Sequence, residues 1–246
     1  LLRYETPTAF SEQAISEARS ARWRKRMREA PALTGRKIFA FADREPACEQ
    51  AFSLRADHYG FTAGVHLASP ALLMRFDGAV RHGAEERALA LDLPDRAIPL
   101  LPPALTERVL LNTEQYRPCL TLFIRFTHDG ALERFHFAVR RVRITDILPA
   151  DAAIDRHESS LQRLSNLAAQ LRRRRLEAGA VVINEPEVEA RADDDEVTVR
   201  RHDPDAPGRL IERELSILNA CLSCLPSALQ RNACAWQAGC SIPELP

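Results

Sequence analysis

Apolar and polar positions change period several times along the chain, and each change marks an element. Between Ser11 and Ala30, small, apolar and basic residues alternate and end in Arg22-Trp23-Arg24-Lys25-Arg26-Met27-Arg28, which predicts a helix with a cationic side. The apolar run Ile38-Phe39-Ala40-Phe41, a polar stretch, and Ala51-Phe52-Ser53-Leu54 predict strand, loop, strand. Phe61 to Ala68 adds a third strand after the turn His58-Tyr59-Gly60, and the three would pair as a meander. Ser69 to Ala90 reads as helical, whereas the prolines between Leu93 and Pro103 predict an extended loop. Pro118 to Thr127 and Leu132 to Ile144 alternate apolar and polar residues around His128-Asp129-Gly130-Ala131, a hairpin signal. From Glu158 to Ala178, Leu161, Leu164, Leu167 and Leu171 give a helix with one apolar seam, a cationic end at Arg172 to Arg175, and Gly179 to close it. Val181 to Ile183 and Val197 to Arg201 predict strands around the acidic segment Glu185 to Glu196, and Gly208 to Leu225 is the last long helix.

Composition narrows the picture without assigning a function. The 246 residues are 46% hydrophobic, enough for one large domain or two small ones. Lys+Arg and Asp+Glu both number 34, so any affinity for nucleic acid must come from local patches. No apolar stretch approaches the roughly 18 residues of a membrane span, and no secretory pattern opens the chain, so the expectation is an intracellular protein with no membrane partner. The chain opens on Leu1 and closes on Ile242-Pro243-Glu244-Leu245-Pro246, so both ends read as cuts from something longer.

Two features invite a chemical reading and have a plainer one. Cys221-x-x-Cys224 with Cys234 and Cys240 could hold zinc, but Cys221 and Cys224 lie in an apolar helical pattern where thiols are ordinary packing. His66 could serve as a base, yet it lies inside an apolar strand, the setting of a hydrogen-bonded core histidine.

Taken in order, the pieces resemble the catalytic (RNB) domain of the RNase II/RNase R family of processive 3′-to-5′ exoribonucleases. Phe61 to Ser69 is similar to the family strand Leu-Gly-Val-His-Ile-Ala-Asp, and Leu93 to Pro102 to its loop Leu-Pro-Asp-Arg-Val-Ile-Pro-Met-Leu-Pro, the most specific match. Asp129-Gly130, the leucine-seamed helix ending at Gly179-Ala180, and Pro186-Glu187-Val188 have counterparts in the same order. Arg209 to Asn219 resembles the family helix Arg-x-Ile-Val-Glu-Glu-x-Met-Ile-x-Ala-Asn. The resemblance covers nearly everything after Arg36. It implies an α+β fold of mixed and antiparallel sheets packed with helices, incomplete at its C-terminal end. Residues 1–35 would form a helical extension and 36–246 the RNB-like domain.

The family cleaves phosphodiesters with two Mg2+ ions, which need clustered oxygen ligands to bridge the attacking and leaving oxygens. Its pattern is Asp, then Asp six, eight and nine residues on, before Ala and a strand. Anchored on Ala51 to Leu54, those positions fall on Phe41, Ala47, Glu49 and Gln50, of which only Glu49 is anionic. Asp43 and Glu45 could join Glu49 as metal ligands if the loop shifted by two residues, with Glu49 and Asp43 the catalytic pair. Other departures point the same way: Ser69 stands for the strand's final Asp, Asp92 for a tyrosine that stacks on the RNA end, and Cys234-Ala235 for a distal Tyr-Arg pair.

The expected function is therefore RNA binding by a catalytically impaired domain, or service as a subunit of an RNA-processing or ribonucleoprotein assembly, with single-stranded RNA or an RNA-containing complex and other protein subunits as partners. No cofactor is expected of an impaired domain. Arg96, Arg172, Arg173, Arg174 and Arg209 are the candidate RNA contacts. The rivals are an active, divergent, Mg2+-dependent exoribonuclease and a purely structural docking module.

Overall fold

The meander predicted from alternation forms, and it recruits three further strands into one sheet. The computed structural model describes residues 8–42, 47–151, 159–182, 187–193 and 196–224. In chain order the elements are helices α1 (Glu12–Ser20) and α2 (Lys25–Arg28), strands β1 (Ile38–Phe41), β2 (Ala47–Cys48), β3 (Gln50–Asp57) and β4 (Gly60–Leu67), and helix α3 (Ala79–Arg87). There follow β5 (Leu91–Asp92), β6 (Ala97–Ile98), α4 (Pro103–Val109), β7 (Leu111–Asn112), β8 (Arg117–Phe126), β9 (Leu132–Val142) and β10 (Asp146–Leu148). Helix α5 (Ser159–Glu177), strands β11 (Glu187–Asp193) and β12 (Glu196–His202), and helix α6 (Pro207–Ser223) complete the set.

The main sheet runs β10-β1-β3-β4-β8-β9. Its pairings are antiparallel except β1 with β10, which is parallel. Gly60 makes the β3–β4 turn possible: its φ is +146°, and a Cβ there would come within 2.1 Å of the Phe126 carbonyl oxygen.

Strand alternation gives the sheet two unlike faces. On one, Phe39, Phe52, Leu54, Val65, Leu122, Ile124 and Phe126 are buried beneath Leu161, Leu164 and Leu167 of α5 and Ile211, Leu215, Leu218 and Leu222 of α6. Each such side chain contributes about 1.5–3 kcal/mol on burial. The leucine seam read from the sequence is thus the contact face of α5. Among the described residues, the other face is covered at one end, where Leu33 and Leu111 pack with Ile38, Ala40, Cys119, Val142 and Ile144.

Several expectations change. The helix predicted over Ser11 to Ala30 is two, because Ala21 and Arg24 are extended. The break is held by arginines: Arg22 donates to the carbonyls of Arg19 and Ala21, and Arg108 caps the same two oxygens. Trp23 packs against the small core of α1, α3 and α4. Within Ser69 to Ala90 only a 3-10 turn (Pro70–Leu72) and α3 form, the Glu17 carboxylate accepting a hydrogen bond from the Ala79 amide at the α3 N-terminus.

The proline loop carries a two-residue ladder, β5 with β6, with Pro94 in its turn. The acidic segment is itself a strand: β11 pairs with β12 throughout, setting Glu189 opposite Arg200 and Val188 opposite Arg201. Val181 and Val182 are not in a strand, and Ile183 lies outside the described residues. So do Cys234 and Cys240, while Cys221 and Cys224 are free thiols at the end of α6.

His66 is the core histidine of the plainer reading. It is fully buried, with Nδ1 3.0 Å from Thr121 Oγ1 and Nε2 3.0 Å from Ser53 Oγ. Burial, helped by the charge of Arg36, pushes its pKa down to about 3.

Candidate nucleic-acid cleft

A cleft of about 1010 Å3 opens where β1 ends and β3 begins. Its walls come from the segments that carry the family resemblance: Phe41, Ala47, Glu49 and Gln50, the turn from Asp92 to Ala97, β11, and Arg209 and Glu212 of α6. The Pro94 carbonyl accepts a hydrogen bond from the Ala192 amide, which joins the proline turn to β11 across the cleft.

The four positions where the resemblance places the family's carboxylates can be followed one by one. Phe41 is only 8% exposed; its ring packs against Phe52 at 6.2 Å between centroids and belongs to the main core. It also lies against the start of α6, where a Cβ on Gly208 would meet the ring at 2.7 Å. Ala47 is held in the short ladder of β2 with β7, opposite Asn112. Gln50 accepts a 2.8 Å hydrogen bond from Ser216 Oγ of α6. Glu49 is exposed, and its backbone carbonyl accepts from the Ala68 amide.

This donor set does not fit a two-metal centre. A phenyl ring in the core, a methyl group and an amide already engaged by a hydroxyl leave one carboxylate where the ions need several. Among the described residues, no three His, Cys, Asp or Glu side chains converge as a metal site. Asp43 and Glu45, the ligands of the shifted register, lie outside the described residues.

The arginines proposed as RNA contacts separate into two groups. Arg96 and Arg209 line the cleft: Arg96 is exposed at the turn, 3.9 Å from Asp95, and Arg209 is 3.2 Å from Asp151. Arg172, Arg173 and Arg174 do not line it. Arg172 binds Asp205 at 2.5 Å, Arg173 lies 3.8 Å from Glu177 on its own helix, and Arg174 donates to the carbonyls of Asp129 and Gly130 at the β8–β9 turn. Beside them, Arg175 grips Glu214, 2% exposed, through two hydrogen bonds of 2.8 and 3.1 Å. The cationic end of α5 is therefore largely a clasp onto α6 and the hairpin turn.

The structure adds cleft residues that the sequence reading passed over. His202, 5% exposed, is 3.3 Å from both Asp151 and Glu189 and pins β12 at the cleft wall. Arg191 and Glu212 also line it. The alternation of Glu187 to Asp193, visible in the sequence, was the signal that could have placed Glu189 and Arg191 on one face. Asp92 joins Glu49, Asp95, Glu189 and Glu212 as a carboxylate in the cleft, so its charge is mixed.

Sheet, helical layer and cleft together define an exoribonuclease-like α+β domain. Residues 41–233 match the RNB domain family, and the chain belongs to that family. The fold is similar to RNase R of Mycoplasma genitalium in complex with ribose methylated single-stranded RNA, with a TM-score of 0.77 and 16% identity over 92% of this chain and 38% of that one. It is also similar to yeast Ssd1, a pseudonuclease, with a TM-score of 0.62, 16% identity, and 80% and 26% of the two chains covered. An active-site mutant of the Dss1 exoribonuclease from Candida glabrata gives a TM-score of 0.65 at 20% identity, covering 83% and 30%. The chain thus spans less than half the length of each of these proteins. A search of curated proteins found no match. No helix among the described residues is long and apolar enough to cross a membrane.

Proposed function

We propose that this domain holds RNA without cutting it, acting as an RNA-binding or assembly subunit of an RNA-processing or ribonucleoprotein complex. The reading rests on one observation above the others. Phe41, at the first ligand position, is part of the hydrophobic core, where a carboxylate would meet a desolvation cost of several kcal/mol. Gln50 supports it, since its amide oxygen is already bound to Ser216. A cleft with Arg96 and Arg209 on its walls remains, and it offers charge to a phosphate without the ligands for hydrolysis. The similar fold of RNase R holds single-stranded RNA, and that of Ssd1 is a pseudonuclease, so both halves of the reading have precedent in the family.

The test is a time course with 5′-labelled single-stranded RNA and Mg2+ or Mn2+. Bound RNA that keeps its full length is the expected result. Progressive shortening that Glu49→Ala abolishes would overturn the proposal and favour an active, divergent exoribonuclease.

A further inference from the structure

The face of the sheet turned away from α5 and α6 carries a second feature that the cleft does not use. Register alone assembles it. Arg55 on β3 lies opposite Thr62, Thr62 opposite Arg125, and Arg125 opposite Arg134 on β9. In the next row Ser53, Gly64, Phe123 and His136 follow one another across the same four strands. Arg36, just before β1, and Arg140, further along β9, place their guanidinium carbons 5.9 and 5.7 Å from the Phe123 ring centre.

Much of the positive charge on this face is uncompensated among the described residues. Arg125 is neutralised by Asp57 and Glu133 at the rim. Among the described residues none of Arg36, Arg55, Arg134 and Arg140 forms an ion pair, although the charge of Arg55 helps to lower the pKa of Asp57, and Arg36 Nε is buried without a hydrogen-bond acceptor. The like charges act on one another: after burial, Arg55 lowers the pKa of Arg36, and Arg140 and Arg134 lower that of His136. Folding has gathered four cations, and an anion would relieve their repulsion.

The centre of the face has a ring platform. His136 stacks on Phe123 with centroids 5.2 Å apart and planes inclined by 29°, and the imidazole is exposed. Gly64 lies beside them without a side chain, and a Cβ there would be 2.9 Å from the His66 ring. From β3 to β9 the row spans roughly 14 Å at ordinary strand spacing. That width suits two or three nucleotides laid on a sheet, with backbone phosphates on arginines and a base on an exposed ring.

We propose that this outer face is a second RNA-binding surface, contacting single-stranded RNA through Arg36, Arg55, Arg134 and Arg140 and stacking a base on His136. It rests on the reading that the domain handles RNA, but not on the cleft, none of whose lining residues it shares. An acidic protein segment could satisfy the arginines as well. It would have no use for a polar aromatic platform, and Ser53, Thr62 and Gly64 supply no apolar anchor for a protein interface.

The experiment measures binding of a fluorescent oligouridylate by anisotropy across a salt series. It compares the wild type with Arg55→Ala/Arg134→Ala, His136→Ala and the cleft variant Arg96→Ala. Arg55 and Arg134 are exposed and form no ion pair among the described residues, so their removal leaves folding intact. The double variant is expected to bind at least tenfold more weakly, with the slope of log affinity against log salt reduced by about 1.4, two phosphates' worth for a single strand. His136→Ala is expected to weaken binding by roughly fivefold or more at unchanged slope. Unchanged affinity and slope in the double variant, with wild-type binding intact, would overturn the outer surface and leave the cleft reading standing. Loss in the double variant with no effect of Arg96→Ala would overturn the cleft reading instead. Polyglutamate that binds as tightly as the oligouridylate, with the same dependence on Arg55 and Arg134, would mark the face as a protein dock and also overturn the inference.

Discussion

Two sets of arginines in this domain have opposite fates. Arg172, Arg174 and Arg175 of α5 meet Asp205, the carbonyls of the β8–β9 turn, and the buried Glu214, so their charge is spent within the fold. Arg36, Arg55, and the pair Arg134 and Arg140 come from three separate places in the chain and meet on one sheet face, where none of the four forms an ion pair among the described residues. A charge run along a helix is distributed around its circumference and finds several partners. Residues two apart on neighbouring strands share a face, so isolated charges accumulate there. Charge available to a ligand is thus set by the sheet register, and the densest run in the sequence supplies little of it.

The largest effect should come from the core position that displaced a ligand. Phe41→Asp removes a buried ring and buries a carboxylate, and should cost at least about 3–5 kcal/mol in urea denaturation. It should restore no Mg2+-dependent RNA shortening. On the internal side of the comparison, Glu214→Ala removes the buried acceptor of Arg175 and should cost roughly 1.5–3 kcal/mol. Arg172→Ala, whose partner Asp205 is half exposed, should cost less than about 1 kcal/mol and leave RNA affinity within twofold. A tenfold loss of RNA binding in Arg172→Ala would erase the distinction between the two sets.

A pH-dependent effect concerns His66, on the same outer face but beneath its surface. Its folded pKa, about 3, lies below the ordinary value of 6.5, so the unfolded chain binds the proton more readily. Stability should therefore be fully present above pH 6.5 and decline as pH falls toward 3, with a slope of at most about 1.4 kcal/mol per pH unit from this group. His66→Gln should flatten that limb of the denaturation midpoint against pH. An unchanged limb would assign acid sensitivity to other groups.

Much of this was legible in the sequence, for reasons that differ by element. The hairpin around Asp129-Gly130 and the leucine seam of α5 were readable because each carries one period over many residues. The split between α1 and α2 was not, since it depends on Arg108, far along the chain, capping carbonyls of Arg19 and Ala21. In the cleft, Phe41, Ala47 and Gln50 stand where the resemblance implies carboxylates, which the residue identities alone make visible. That Phe41 belongs to the core and Gln50 is held by Ser216 required helix α6 to be placed against them. The outer patch was the least legible, because Arg36, Arg55, Arg134 and Arg140 become neighbours only through strand pairing.

The central claim is that three of the four positions where the resemblance places the family's metal ligands, Phe41, Ala47 and Gln50, carry groups that cannot hold metal, which leaves Glu49 alone. Titrating the purified protein with Mn2+ while following the electron paramagnetic resonance signal of the free ion tests it directly. The free-ion signal should rise linearly from the first additions, with no stoichiometric uptake, in the wild type and in Glu49→Ala alike. Uptake of two ions per chain at micromolar concentrations, lost in Glu49→Ala, would contradict the claim and restore a hydrolytic centre to the cleft.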